Sequence, residues 1–275
     1  MRANQPIGIF DSGIGGLTVA KAVKKVLPDE KLIYIGDTAH LPYGDKSTAA
    51  IQAYSVRIAD LLLQRKCKVI LIACNSASTA AFELVKEYTA QKSKVIDVIN
   101  PTIQFIRENY MSKKIGLIGT KQTVTSGVYD VRIRDLNNEI VFNSIATPLL
   151  VPMIEEGFHN ETLSHDIIMT YLARQELSGI DALILGCTHY PIIKDEIAEF
   201  YKETKRSVDI IDSADQVAKS LKGYLEYNNL LNQASPDIDE FLVTDYTDSF
   251  EKTTKIFFGE KVALEKATIW EELKG

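Results

Sequence analysis

The sequence predicts an α/β protein of two similar, doubly wound units whose sheets are mainly parallel. Three observations point there. Short apolar runs alternate with longer amphipathic stretches, most of those runs lack polar alternation, and the pattern repeats once along the chain. Strands alternating with helices mark βαβ units, and a strand apolar on both faces belongs in a parallel sheet covered by helices on each side. The chain has 275 residues, 45% hydrophobic and 25% charged. Those are the proportions of an ordinary globular protein, long enough for one large domain or two small ones.

Taken in order, Ile7 to Phe10, Leu32 to Ile35, Val69 to Ala73, Val95 to Val98, Ile115 to Ile118, Ile140 to Ile145, Ala182 to Leu185 and Val208 to Ile211 read as strands. Leu17 to Leu27, Thr48 to Lys66, Ser78 to Ala90, Thr162 to Leu177 and Ile192 to Lys202 read as amphipathic helices. The repeat is visible in particular residues. PIGIFDSGIGG near residue 6 is echoed by KKIGLIGTKQTVTSG near residue 113, and VILIACNSAS by ALILGCTHYP. Each unit thus carries a cysteine directly after a strand. A break falls near Asn100–Pro101, and the last strand-like run of the second unit ends near Asp212. From Ser213 the tail reads as helical and then irregular; packed back on the first unit, it would make that domain discontinuous. With no proline-rich linker, the two units should be closely apposed.

Charge and cysteine usage exclude several classes. A net charge of −6 without a long basic run lacks the electrostatic footprint of a nucleic-acid binder. No apolar segment reaches the ~18 residues needed to cross a bilayer. The first residues, MRANQPIGIF, show no secretory signal. Cys67, Cys74 and Cys187 are too few for a disulfide framework, which points to a reducing cytoplasm.

In open α/β sheets ligands gather beyond the carboxyl ends of the strands. Asp11-Ser12-Gly13, Asp37, Cys74-Asn75-Ser76 and Cys187-Thr188-His189 all follow strands and form one candidate rim. The piece DSGIGG is neither a dinucleotide fingerprint nor a Walker A loop, but its glycines permit close backbone approach to an anion. Cys74 heads a helix with Ser76 or Ser78 as the expected cap, and Cys187 precedes a helix with Pro191 in its first turn. A helix N-terminus or a nearby histidine favours thiolate over thiol. Cysteine often simply packs at strand ends, as expected for Cys67. Two cysteines in matching polar loops argue for chemistry instead.

Four chemistries use such thiols. A lone C-x-H is too little for a metal site, and the C-x-x-C of disulfide exchange is missing. A cysteine hydrolase would use Cys187 with His189 and leave Cys74 idle. A racemase or epimerase uses both, because inversion at carbon needs a base on one face and an acid on the other. Asp11 is placed to serve Cys74, and the Glu155–Glu156 pair or His189 to serve Cys187. His40, His159 and His165 are expected to be structural or exposed.

The motifs DSGIGGLTV (11–19), GDTAHLPYG (36–44), ACNSAS (73–78), VPMIEEG (151–157) and GCTHYP (186–191) resemble, in order and spacing, those of the glutamate racemase family within the cofactor-independent aspartate/glutamate racemase superfamily. The likeness runs from about residue 6 to 260. It implies two pseudo-symmetric α/β domains, residues 1–99 with 208–275 and residues 100–207, and an active site at their interface. It also implies a cytoplasmic homodimer that makes D-glutamate for peptidoglycan, with no pyridoxal phosphate and no metal. Cys74 and Cys187 match the family's two catalytic thiols, Asp11 the acid assisting the first, and Glu155 and His189 the groups assisting the second. Asp11, Ser12, Pro42, Tyr43, Gly44, Asn75, Ser76, Thr188 and His189 match substrate-binding positions. Two departures stand out: Ser76 replaces the usual threonine, and the tail reads T-D-Y-T-D where the family usually has T-G-D. An aspartate or other amino-acid racemase of the same superfamily and a non-catalytic amino-acid-binding regulator are the competing expectations.

Overall fold

The computed structural model describes residues 1–90, 92–136, 139–158, 162–234 and 238–270. Strands β1 (Ile7–Asp11), β2 (Leu32–Gly36), β3 (Val69–Ile72) and β4 (Lys94–Asp97) begin the chain, separated by helices α1 (Leu17–Val26), α2 (Thr48–Gln64) and α3 (Asn75–Thr89). Helix α4 (Ile99–Asn109) leads to β5 (Lys114–Gly119), β6 (Val141–Ala146), β7 (Ala182–Gly186) and β8 (Asp209–Asp212). Between these lie α5 (Lys121–Thr125), α6 (Val128–Arg134), α7 (Leu150–Glu155), α8 (Thr162–Leu172) and α9 (Lys194–Glu203). The chain closes with α10 (Ser213–Tyr227), β9 (Glu240–Val243), α11 (Asp248–Phe258) and β10 (Glu265–Lys266).

Two sheets result, in the orders β10-β9-β2-β1-β3-β4 and β6-β5-β7-β8, with every ladder among the described residues parallel. The first four strands and the second four share one order, so the repeat read in the sequence is a repeat of topology. In each unit the order reverses direction between its first and third strands. That switch point is where an open α/β sheet leaves a crevice at its carboxyl edge. The strands are enclosed because their side chains are apolar on both faces: β1, β2, β3 and β7 are buried at every position. One continuous apolar core joins the units, running from Ile7, Val23 and Leu71 through Ile115 and Leu183 to Leu221. A second core, around Ile58, Leu62 and Ile72, lies on the other face of the first sheet.

Several expectations change. The break at Asn100–Pro101 is the first turn of α4, where a proline costs no hydrogen bond because the first amides of a helix have no partner inside it. The tail is not irregular: β9 pairs with β2 and β10 with β9, extending the first sheet. β8 pairs with β7 in the second sheet, so the return to the first sheet begins at α10 and not at residue 208. Cys74, not Ser76 or Ser78, caps α3: its backbone is extended and its Sγ accepts the Ala77 N–H at 3.4 Å. No helix among the described residues is long and apolar enough to cross a membrane.

Candidate active site

The carboxyl edges of the two sheets face each other, and a cavity of ≈ 80 Å³ opens between them. At ~10–15 Å³ per water, this is room for about six, enough for a ligand on the scale of an amino acid. From the first unit the lining includes Ser12, Pro42, Tyr43, Gly44, Cys74, Asn75 and Ser76; from the second it includes Glu155, Cys187, Thr188 and His189. The fold therefore brings all of these predicted positions to one cleft. Asp11 lies just beneath it, fully buried, with Oδ2 accepting the N–H groups of Gly13 (3.2 Å) and Gly16 (3.0 Å). Thr188 Oγ1 reaches Asp11 Oδ1 from the other unit at 3.4 Å.

The two thiols sit in different surroundings. Cys74 Sγ lies 3.7 Å from Ser12 Oγ. Burial pushes its thiol up to about 12, and the Asp11 carboxylate adds to this, outweighing the Ala77 amide that favours thiolate. This corrects the expectation of a resting thiolate at Cys74, because tertiary burial overrides the helix N-terminus. Burial likewise raises Asp11, opposed by the positive charge of His189. In the second unit His189 Nδ1 is 3.7 Å from Cys187 Sγ, and Nε2 is 2.9 Å from Glu155 Oε1. Burial alone would lower His189, but hydrogen bonds to Cys187 and Glu155 prevail and raise it to about 10. Of the Glu155–Glu156 pair, Glu155 ends α7 against His189, while Glu156 is exposed.

Glycines make this proximity possible. A Cβ on Gly15 would stand 2.3 Å from His189 Cε1, and one on Gly16 would stand 2.5 Å from Asp11 Cβ. Bonds between the units also close the cleft: Ser76 Oγ to Thr120 Oγ1 (2.9 Å), Tyr129 OH to Asn75 Oδ1 (2.8 Å) and Thr18 Oγ1 to the Thr188 carbonyl (2.9 Å). Serine at position 76 thus keeps its hydroxyl in use.

Other candidates lie outside the cleft. Asp37 is buried and accepts from Tyr43 OH (2.6 Å), Thr244 Oγ1 (2.8 Å) and Trp270 Nε1 (3.1 Å), bracing the Tyr43 loop against the tail. The T-D-Y-T-D turn is ordered by the same contact and by Asp245 N–H donating to Thr38 Oγ1 at 2.8 Å. His40 pairs with Asp37 at 3.0 Å, His165 is exposed beside Asp166, and His159 falls outside the described residues. Cys67 is packed at the end of α2, and burial raises it to about 12. The sequence reading missed Thr120 and Thr147, which line the cavity directly after β5 and β6. The rule that found Asp11 and Asp37 after β1 and β2 would have found them. Among the described residues no group of three His, Cys, Asp or Glu side chains is arranged to hold a metal ion.

Comparison with known proteins places this geometry. The sequence profile of the Asp/Glu/hydantoin racemase family matches residues 17–221. A glutamate racemase from Chlorobaculum parvum is 40% identical over 258 residues, covering 94% of this chain and 93% of that protein. The structure of glutamate racemase from Francisella tularensis in complex with D-glutamate superposes with a TM-score of 0.87 at 37% identity, covering 98% of this chain and 99% of that one. The glutamate racemase isoform RacE1 of Bacillus anthracis superposes with a TM-score of 0.89 at 31% identity, covering 97% and 98%.

Proposed function

Because the chain belongs to the Asp/Glu/hydantoin racemase family, we propose that it is a glutamate racemase, interconverting L- and D-glutamate by proton transfer at the α-carbon between two thiols. The observation that carries this reading is that Cys74 and Cys187, from the two halves of a topological repeat, line one amino-acid-sized cavity. A glutamate α-carbon between them meets one sulfur on each face. In the L-to-D direction the Cys187 thiolate, beside cationic His189, takes the α-hydrogen as a proton and leaves its electron pair on carbon. The Cys74 thiol then delivers its proton to the opposite face, and the roles reverse for D-glutamate. The high Cys74 pKa suits its part as donor, and Asp11 is the group that receives or returns its proton.

The α-hydrogen is a weak acid, so the developing carbanion must be stabilised by fixed donors and by exclusion of water. Ser12, Asn75, Ser76 and Thr188, with loop amides near Tyr43 and Gly44, supply neutral donors to the two carboxylates. Lys121, a cation at the rim, is exposed and paired with Asp45 at 3.2 Å. The cation inside the cleft is then His189, held beside Cys187 by Glu155. The same reading makes the chain a cytoplasmic homodimer supplying D-glutamate to peptidoglycan synthesis, with one domain built on each sheet.

The test is incubation with L-glutamate in deuterated water, following optical rotation and α-deuterium, with L-aspartate in parallel. Racemisation with deuterium at the α-carbon is expected for glutamate, and its loss in Cys74→Ser and in Cys187→Ser separately. Racemisation persisting in either variant removes that thiol from the reaction, and preference for aspartate overturns the substrate.

A further inference from the structure

We propose that Tyr129 is a positioning residue for the substrate: its hydroxyl fixes the Asn75 carboxamide so that Nδ2 points into the cavity as a donor to a substrate carboxylate. The proposal rests on the racemase reading and adds to it a residue that does not line the cavity. Asn75 is the first residue of α3, next to Cys74, and is 2% exposed. Its Oδ1 accepts the Tyr129 hydroxyl at 2.8 Å, whereas its buried Nδ2 has no partner among the described residues. A buried amide donor without a partner is costly, and in a binding cavity it marks the place of a ligand acceptor.

The alternative orientation of the amide is worse. With oxygen and nitrogen exchanged, Nδ2–H would donate to the tyrosine oxygen and leave the phenolic hydrogen without an acceptor. Oδ1 would then face an incoming carboxylate, lone pair against negative charge. Tyr129 keeps a proton to donate to Oδ1: burial, and after it the nearby Asp97 carboxyl, hold the phenol far above its ordinary ionisation range. Geometry makes the restraint rigid. Tyr129 is 2% exposed on α6, packed into the second unit, while Asn75 belongs to the first. The bond therefore also ties the donor's orientation to the seating of one unit against the other.

The experiment compares wild type, Tyr129→Phe, Asn75→Ala and the double variant in glutamate racemisation by circular dichroism. One lost hydrogen bond to an anion predicts that Tyr129→Phe lowers kcat/KM about tenfold, mostly through a raised KM. In the Asn75→Ala background the same change should alter kcat/KM less than about twofold, since the tyrosine then has no amide to orient. An equal loss in both backgrounds would mean that Tyr129 acts on the fold, and no loss in the wild-type background would mean that it positions nothing. Either result overturns the proposal. A second measurement needs neither turnover nor a variant that folds poorly: the side-chain amide resonances of Asn75 in the wild-type protein, followed as D-glutamate is added. They should shift on binding. Unmoved resonances with D-glutamate bound refute the assignment, while shifted resonances in a protein that does not racemise glutamate would uphold the positioning role and sink the reaction.

Discussion

The His189–Glu155 pair offers the most direct check of the site's electrostatics. Glu155 Oε1 lies 2.9 Å from His189 Nε2, the imidazole is 5% exposed and the carboxylate 27%. His189 is raised to about 10 against an ordinary value of 6.5, with Cys187 and Glu155 as the groups that overcome its burial. Glu155→Gln keeps the shape and removes the charge. An adjacent carboxylate raises a histidine by ~1–3 pH units, and the half-open position of Glu155 places it at the lower end, so the variant's midpoint should fall to about 8–9. The assay is an NMR titration of the histidine rings, tractable in a chain with four histidines. The sign for stability follows from the raised native midpoint. The protonated imidazole stabilises the fold fully below pH 6.5, its contribution declines as pH rises, and it is gone above about 10. At ~1.4 kcal/mol per pH unit, Glu155→Gln should cost about 1–3 kcal/mol near pH 6 and nothing above pH 10. A wild-type midpoint near 6.5, or one unchanged in the variant, would refute the reasoning.

Three other expectations follow from local contacts. Gly15→Ala drives a methyl group to 2.3 Å from His189 Cε1; racemisation should fall on the order of 10²-fold and stability by ~1–3 kcal/mol, read by kinetics and thermal melts. Normal activity would mean that the ring has slack. Trp270, the single tryptophan, donates to Asp37, which also accepts from Tyr43 in the cavity wall. Its fluorescence should change on titration with D-glutamate, and an unchanged spectrum at saturation would deny the coupling. Lys68 and Glu30 form a buried pair at 2.5 Å, the lysine also donating to the carbonyls of Ala3 and Leu230. Lys68→Met should cost ~3–5 kcal/mol in urea unfolding by leaving the buried Glu30 charge without its cation, its hydrogen bond from the Asn232 amide remaining, with part regained in Lys68→Met/Glu30→Leu. A cost under ~1 kcal/mol would show that solvent reaches the pair.

β1, β2, β3, β5 and β7 were legible because burial on both faces leaves uninterrupted apolar runs, the more exposed β4, β6 and β8 by their shorter apolar stretches, and the site loops because they follow those strands. β9 and β10 were not. One has four residues and begins with a glutamate, the other is Glu265–Lys266 with both side chains exposed, so neither carries the signal of a covered strand. The cysteines could be placed but their resting states could not. Position at a helix N-terminus is local and argues for thiolate, whereas the enclosure of Cys74 beside Asp11 arises only when β1 and β3 pair. Asn75 was visible beside Cys74, yet its partner Tyr129 is 54 residues away in the other unit, and no local spacing predicts that bond. Asp37 misled for the opposite reason: a carboxylate after a strand resembles a site group, and only the tail's return, with Thr244 and Trp270, reveals it as a brace.

The two halves of the topological repeat surround their cysteines differently. β2-β1-β3-β4 and β6-β5-β7-β8 are the same arrangement, and each sets a cysteine after its third strand. Two thiols in one cavity repel each other once ionised, so their protons leave in two separate steps with a singly ionised state between them. That one-proton state is the one the proposed transfer across a carbon needs. The repeat has diverged around the thiols: burial, and after it the Asp11 carboxylate, keeps the proton on Cys74, and Cys187 faces a histidine held cationic. In the proposed two-thiol reaction Cys74 enters the L-to-D direction as the protonated partner, and the roles exchange in the other direction. Matched scaffolds supply the opposed positions that this proposal needs, and unmatched neighbours distinguish them.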